Sequence, residues 1–174
     1  MIKNVLIALA LIAGVSALVL TLTNKKPEMF YIEMGKVYEE FNLSKELNKE
    51  LEDVIKSRKT ITDSIYEQLR VKTQDLKYQQ KKTMLEVQKL AKYEEEYYYK
   101  QQEFEKENQL TVSDYNSKIW KQLNQYISDF GEEKKCEFIF GANGQGSIMF
   151  GSKGKNITEE IIKYVNDKYN GKAK

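Results

Sequence analysis

Apolar positions recur at helical spacing through the central half of this chain. Residues 36–130 contain no Gly and no Pro, the two residues that most often interrupt regular structure. Apolar side chains return there in steps of three and four, which is the pattern of a coiled-coil seam. They form two groups, Leu47, Leu51, Val54, Ile61 and Ile65, with Arg58 in a polar slot, and Val87, Leu90, Tyr97 and Phe104. The pattern predicts long helices that pack along one face.

The first seam ends near Ile65, because carrying its frame forward would bring Gln68, Lys72 and Asp75 into the contact. A frame slipped by one residue, which starts at Leu69, would allow a single straight rod of ~140 Å at the helical rise. The polar stretch 77–83 favours the other solution. We predict a hairpin of two helices, with its tip near residues 77–83.

Strand-like segments flank the helical region. Residues 29–34 form a short apolar run, and residues 137–140 and 147–150, joined by a glycine-containing turn, predict a β-hairpin. A last amphipathic helix follows Asn156, which precedes Glu159 by three residues as in a capping box. These elements hold too little apolar surface to be stable in one copy. We therefore predict an oligomerisation body, with interface residues Phe30, Ile32, Phe138, Ile139, Phe140, Ile148 and Phe150.

The chain begins with a segment typical of export. Lys3 precedes an uncharged, mainly apolar run over residues 5–22. This run has the pattern of a secretory signal, with a possible cleavage site around Ala17, and it is also long enough for a marginal membrane anchor. Both interpretations export the remainder, which is then soluble after cleavage or tethered to the inner membrane by residues 5–22.

Composition argues against catalysis. The 174 residues include one cysteine and no histidine, so the side chain on which most nucleophilic triads and many metal sites depend is missing. The triplet Glu94, Glu95 and Glu96 fans around a helix and is interpreted as a solvated face rather than a metal site. We expect no enzyme activity, no metal and no cofactor, and the formal net charge of +2 does not favour nucleic acid as a partner.

Charge nevertheless separates along the predicted arm. Residues 70–92 carry a net charge of +5, and residues 93–107 carry −4. A cationic tip fits contact with an anionic membrane surface or with acidic protein segments, and ordinary solubility is the alternative. The cations are Arg70, Lys72, Lys77, Lys81, Lys82, Lys89 and Lys92.

Several of these features together resemble the OmpH family. The resemblance rests on the strand, Met34 and Gly35 at the start, on the long charged hairpin, and on the strand, glycine turn, strand and Ile-Thr-x-x-Ile run at 157–161. It implies an α+β fold: a small β-rich trimerisation body (25–43 and 131–174) with an α-helical coiled-coil hairpin arm (44–130), preceded by a signal or anchor (1–24). It also implies a periplasmic homotrimer that holds unfolded outer-membrane proteins between its arms without ATP.

Tyrosines in the distal half of the arm are the candidate contacts for such clients. Aromatic side chains supply large amphipathic contact area at modest entropic cost. Consecutive tyrosines fan out around a helix, so they cannot all occupy the seam. The candidates are Tyr66, Tyr78, Tyr93, Tyr97, Tyr98 and Tyr99.

A different function class remains open from the sequence. A membrane segment followed by a long charged helix also resembles a structural tether such as an ATP synthase peripheral stalk. In a tether the helix would run straight, and the strands after residue 136 would be missing.

Overall fold

The computed structural model describes residues 28–78, 83–144, 146 and 148–172. The predicted export segment, the anchor at 5–22 and residues 79–82 of the predicted tip lie outside the described residues. Across the described ranges, no helix is long and apolar enough to cross a membrane. The elements are strand β1 (Met29–Glu33), helices α1 (Met34–Glu40), α2 (Asn42–Tyr78) and α3 (Met84–Lys134), strand β2 (Phe138–Ala142), a 3₁₀ turn (Lys153–Lys155) and helix α4 (Thr158–Tyr169).

Helices α2 and α3 pack antiparallel as a hairpin arm. Near its base, Tyr115 Oη donates to Glu50 Oε1 at 2.8 Å, and further out the rings of Tyr66 and Tyr97 lie 5.6 Å apart. Each step outward along α2 is thus matched by a step back along α3. The predicted α+β fold with a helical hairpin arm is confirmed, and the straight rod that a tether would need is wrong.

The seam of α2 continues beyond the predicted end at Ile65. Ile61, which we placed in the seam, is 48% exposed, and Thr62 is half-buried in its stead. From Leu47 onward, all half-buried positions of α2 except Lys72 follow an eleven-residue repeat. Its period of about 3.67 residues per turn is longer than the 3.5 of a heptad, so it does not impose the left-handed supercoil of a heptad seam. These positions are Leu47, Leu51, Val54, Arg58, Thr62, Ile65, Leu69, Thr73 and Leu76.

A capping box starts helix α3. Thr83 Oγ1 accepts a hydrogen bond from the Glu86 N–H at 3.3 Å, and Glu86 Oε2 accepts from the Thr83 N–H at 3.0 Å. This reciprocal pair satisfies backbone donors that have no partner inside a helix. The helix ends at Lys134, and the next residue, Lys135, has a left-handed backbone with φ of 57°. Local sequence therefore sets the start of the returning arm helix.

The two strands pair in parallel, with the whole arm between them. Met29 lies opposite Phe138, and Glu33 lies opposite Ala142. The predicted β-hairpin between 137–140 and 147–150 is therefore wrong: β2 pairs with β1, and the described residues 148–150 are not in a strand.

Close packing explains the path after β2. Gly144 and Gly146 have φ of 73° and 96°, backbone conformations that glycine adopts readily. A Cβ on Gly151 would lie 2.3 Å from Cε1 of Tyr31, so only glycine lets the chain cross the Tyr31 ring there.

The core lies where the base of the arm meets β1 and α4. The base of α3, which we assigned to the arm, supplies three of its buried side chains. Phe41 is buried at the break between α1 and α2, with the rings of Tyr126 and Tyr169 at 6.2 and 5.6 Å. The buried hydrophobic residues are Ile32, Val37, Phe41, Ile119, Leu123, Phe130, Ile157, Ile161, Ile162 and Val165.

Hydrogen bonds join the two ends of the described chain. The Ile157 N–H donates to the Tyr31 carbonyl at 3.0 Å, and Thr158 Oγ1 accepts from the Glu33 N–H at 2.9 Å. The predicted capping box of Asn156 with Glu159 is not formed: Asn156 Oδ1 accepts from the Thr158 N–H at 3.0 Å, and the Glu159 carboxylate pairs with Lys36 instead. We call the contacts of Ile157 and Thr158 with β1 the terminal clamp.

Helix α4 also caps the arm. Asn166 Oδ1 accepts from the Asn42 N–H at 2.8 Å, and Asn166 Nδ2 donates to the Glu40 carbonyl at 3.0 Å. One side chain thereby satisfies the backbone on both sides of the break at Phe41. The direction in which α2 leaves the body is set by this contact and by the burial of Phe41.

The terminal clamp predicts a specific loss of stability. Changing Thr158 to Val keeps the shape of the buried side chain but leaves the Glu33 N–H without an acceptor, which costs about 1–3 kcal/mol. Urea unfolding followed by circular dichroism, at fixed protein concentration, measures the change. Thr158→Ser keeps the hydroxyl and should lose much less. Equal losses in both variants would show that the hydrogen bond contributes nothing beyond packing.

Candidate functional site

The arm carries its apolar groups close to solvent. Among the described residues between 45 and 118, none is fully buried. Two helices in contact cover one stripe on each other and leave the flanks open. The arm therefore offers a long surface on which half-buried seam residues border exposed apolar and aromatic side chains.

Three of the predicted tyrosines come together on one flank of the arm. The ring of Tyr97 lies 5.6 Å from that of Tyr66 and 5.5 Å from that of Tyr98. Tyr97 is half-buried, while Tyr66 and Tyr98 are 49% and 59% exposed. We call Tyr66, Tyr97 and Tyr98 the tyrosine cluster. It presents two partly exposed ring faces held in place by a third ring.

A groove on the arm begins at this cluster. It encloses about 750 Å³ between α2 and α3 and includes Tyr97 in its wall. Aliphatic and aromatic groups line it from both helices, with polar amides and charged groups among them. Its apolar lining consists of Ile55, Tyr97, Phe104 and Val112, and Thr62 also lines it.

The other predicted tyrosines lie elsewhere. Tyr99 is exposed and has Lys100 Nζ 5.9 Å from its ring centre, and it projects about 100° around the helix from Tyr98. Tyr93 is half-buried beneath Lys72 Nζ at 4.6 Å. Tyr78 ends α2 and is exposed. The six candidates thus form one cluster of three and three separate positions.

The cationic tip is less concentrated than the sequence suggests. Lys81 and Lys82 lie outside the described residues, and Arg70 pairs with Glu67 at 2.9 Å. Lys77 is exposed in the last turn of α2. The remaining lysines share a groove of about 560 Å³ with acids, so positive and negative groups alternate there. That groove is lined by Lys72, Asp75, Leu76, Glu86, Lys89, Leu90, Lys92, Tyr93 and Glu96.

A polar contact inside the seam was not predicted. Arg58 Nη2 lies 2.8 Å from Glu107 Oε2, Arg58 Nη1 donates to Asn108 Oδ1 at 2.6 Å, and the guanidinium lies 5.8 Å from the centre of the Phe104 ring. Such a fork fixes the register of two helices because its donors need acceptors at set positions. The single basic residue among the apolar seam positions was the only sign of this contact in the sequence.

Three groups on the arm have a raised pKa. A hydrogen bond to Glu103 raises the pKa of Lys100, and a hydrogen bond to Asp114 raises that of Lys118. The pKa of Tyr115 is also raised, first by its hydrogen bond to Glu50. Each shift favours the protonated form, which these groups already hold at pH 7. These three groups therefore keep the same charge across the neutral range.

The body exposes an apolar patch of its own. Met149 and Phe150 are each 88% exposed, and the rings of Phe138 and Phe140 stack at 5.8 Å beside them on β2. Of the other predicted interface residues, Phe30 is half-buried below Lys155 Nζ at 4.7 Å, and Ile148 is half-buried. Ile32 is buried in the core of the single chain, and the half-buried Ile139 packs against that core. In the described part of the chain, no cluster of three or more potential metal ligands occurs.

Comparison with known proteins identifies one family and a shared fold. The sequence model of a family described as outer membrane protein (OmpH-like) matches residues 28–165. A crystal structure described as an OmpH-like outer membrane chaperone from Caulobacter crescentus CB15 superposes with a TM-score of 0.72 at 14% sequence identity, covering 83% of this chain and 86% of that one. No curated protein matches the chain.

The packing of the tyrosine cluster predicts different roles for neighbouring residues. Tyr97→Ser removes the ring that touches both of its partners, and it should lower the free energy of unfolding by about 1–2 kcal/mol. Tyr98→Ser and Tyr99→Ser affect exposed positions and should each stay within about 0.5 kcal/mol of the original protein. Urea titration of the three single variants tests this order. A larger loss for Tyr98→Ser than for Tyr97→Ser would contradict it.

Proposed function

This chain belongs to the OmpH-like outer membrane protein family, and we propose that it is a holdase chaperone of the periplasm. In this proposal the protein binds unfolded outer-membrane proteins without ATP, in a cavity formed by the arms of a homotrimer, and keeps them soluble. It works either free after signal cleavage or tethered through residues 5–22.

The observation that carries the proposal is the open arm surface. A holdase must shield apolar segments of many sequences without fixing one geometry, and many weak contacts meet that need better than one deep pocket. The tyrosine cluster and the shallow groove beside it provide such contacts on a flank that neither helix covers. Tyrosine suits the role because its ring gives apolar area while its hydroxyl stays hydrated.

The incomplete body supports a trimer. A two-stranded parallel sheet is marginal alone, and parallel strands are usually buried on both faces. Among the described residues, β1 pairs with β2 only, apart from the bridge of Tyr31 to Asn156, and within those residues the outer edge of β2 has no strand beside it. Strands and apolar side chains from further copies would cover both this edge and the patch around Phe150.

The charge along the arm supports a weak contact with membranes. Residues 70–92 carry a net charge of +5, and exposed cations in that segment would lie near anionic headgroups if the arms reached a bilayer. The acids in the tip groove reduce this attraction. We propose a salt-sensitive surface contact rather than a specific lipid site.

The trimer proposal predicts that two charge substitutions act differently. Phe150→Asp places a carboxylate on a side chain that is exposed in one chain, so helicity should persist while the mass falls from trimer to monomer. Ile139→Asp puts the charge against the core and should unfold the body. Light scattering and circular dichroism on the domain from residue 26 onward separate the two effects. A stable monomer of the unsubstituted domain at micromolar concentration would remove the basis of the cavity.

The holdase proposal predicts that Tyr98, an exposed ring of the tyrosine cluster, contributes more to client holding than Tyr99, which lies outside the cluster. Tyr98→Ser should weaken suppression of aggregation of a urea-unfolded β-barrel protein, without nucleotide, because it removes half of the exposed ring surface. Tyr99→Ser changes the same residue type one position away and should have the smaller effect. Both variants must first match the original protein in mass and helicity. Full holding activity in the double variant Tyr98→Ser, Tyr99→Ser would show that clients bind elsewhere.

A further inference from the structure

The geometry points to a charge preference at the tyrosine cluster: this flank of the arm binds client segments in which a lysine or arginine lies beside aromatic or other apolar residues. This inference rests on the proposed holdase function and adds the class of segment that the arm selects. It concerns the cluster and the groove beside it, not the cationic tip.

Two acids share the flank with the cluster. Glu94 precedes Tyr98 by four residues and Glu105 follows it by seven, and both spacings bring side chains to the same side of a helix. Glu105 also lines the groove that begins at Tyr97. The exposed ring of Tyr98 therefore lies between two carboxylates along α3.

These carboxylates are not neutralised by the arm. Throughout the ranges that the structure describes, neither Glu94 nor Glu105 has an ion pair. The two cations that line the groove are held by other acids, Lys59 by Asp63 at 3.1 Å and Arg58 by Glu107 at 2.8 Å. The flank consequently carries uncompensated negative charge next to exposed aromatic faces.

This combination defines the chemistry of the occupant. A lysine or arginine can lay its aliphatic stem on a tyrosine ring, gain a cation–π contact and place its charged end near a carboxylate. An apolar neighbour in the same segment can enter the groove at Ile55, Phe104 and Val112. An acidic residue beside Tyr98 would meet the like charges of Glu94 and Glu105. The surface thus favours cationic apolar segments over acidic ones of equal hydrophobicity.

Labelled peptides test the preference directly. Three twelve-residue peptides differ only in the two residues flanking a central tryptophan: lysine, glutamine or glutamate. Fluorescence anisotropy with the purified full-length chain at low salt should show the lysine peptide binding roughly tenfold more tightly than the glutamate peptide. Added salt should reduce this difference. Equal affinities for the lysine and glutamate peptides would overturn the inference.

A matched pair of variants locates the effect. The double variant Glu94→Gln, Glu105→Gln should weaken binding of the lysine peptide by roughly fivefold and leave the glutamine peptide unchanged. The control Glu95→Gln, Glu96→Gln removes the same charge from the same helix, but Glu95 follows Glu94 by about 100° around the axis and Glu96 lines the tip groove. Its affinity for the lysine peptide should stay near that of the original protein. Equal losses in both double variants would assign the preference to net charge alone and overturn the site.

Failure of this inference is distinguishable from failure of the proposed function. The same preparations are assayed for suppression of aggregation of an unfolded β-barrel protein. A chain that suppresses aggregation but binds the three peptides equally is a holdase without this charge preference. A chain that fails to suppress aggregation at all contradicts the proposed function itself.

Discussion

The terminal clamp closes a structure that would otherwise be open at its base. Strands β1 and β2 are separated in sequence by the whole arm, and parallel strands need a long crossover between them, so their pairing must compensate a large loop entropy. The Tyr31 carbonyl and the Glu33 N–H, on the same short strand, receive the start of α4 through Ile157 and Thr158. Helix α4 is thereby held across the arm base, where Asn166 caps the first turn of α2. Contacts made by α4 in the body position the base of the arm, whereas contacts between the two arm helices do not hold the body together.

Stability is distributed unevenly as a consequence. Buried side chains gather at the base, around Phe41, Ile119 and Val165, while the arm beyond residue 45 relies on half-buried contacts and on the fork of Arg58. Segments with few buried apolar contacts open at lower free energy than the core. A long surface that is only partly packed can adapt to differing segments, because rearranging it disrupts little burial.

Sequence patterns predicted what depends on local periodicity, and they failed where partners are distant. The absence of Gly and Pro over residues 36–130 predicted the long helices, and the polar stretch at the tip favoured the hairpin without excluding the straight rod. A heptad assumption placed Ile61 in the seam, whereas an eleven-residue repeat puts Thr62 there. The parallel pairing of β2 with β1 could not be derived, since a strand's alternation does not state its partner or direction. The same limit hid the acceptors of Arg58, which lie on the other helix.

The two exposed apolar surfaces of this chain differ in chemistry, and the difference indicates different occupants. The body patch around Phe150 and Met149 consists of side chains with no polar end. Its exposure to water has an unfavourable free energy that no polar group offsets, which favours permanent burial between copies. The arm flank instead combines tyrosine hydroxyls with carboxylates such as Glu94 and Glu105, which remain hydrated when the flank is empty. Such a surface has a low free-energy cost when it is exposed to water and still offers contacts to a bound segment, which is what repeated binding and release require. This difference supports the proposed assembly through the body patch and the proposed client binding at the arm flank.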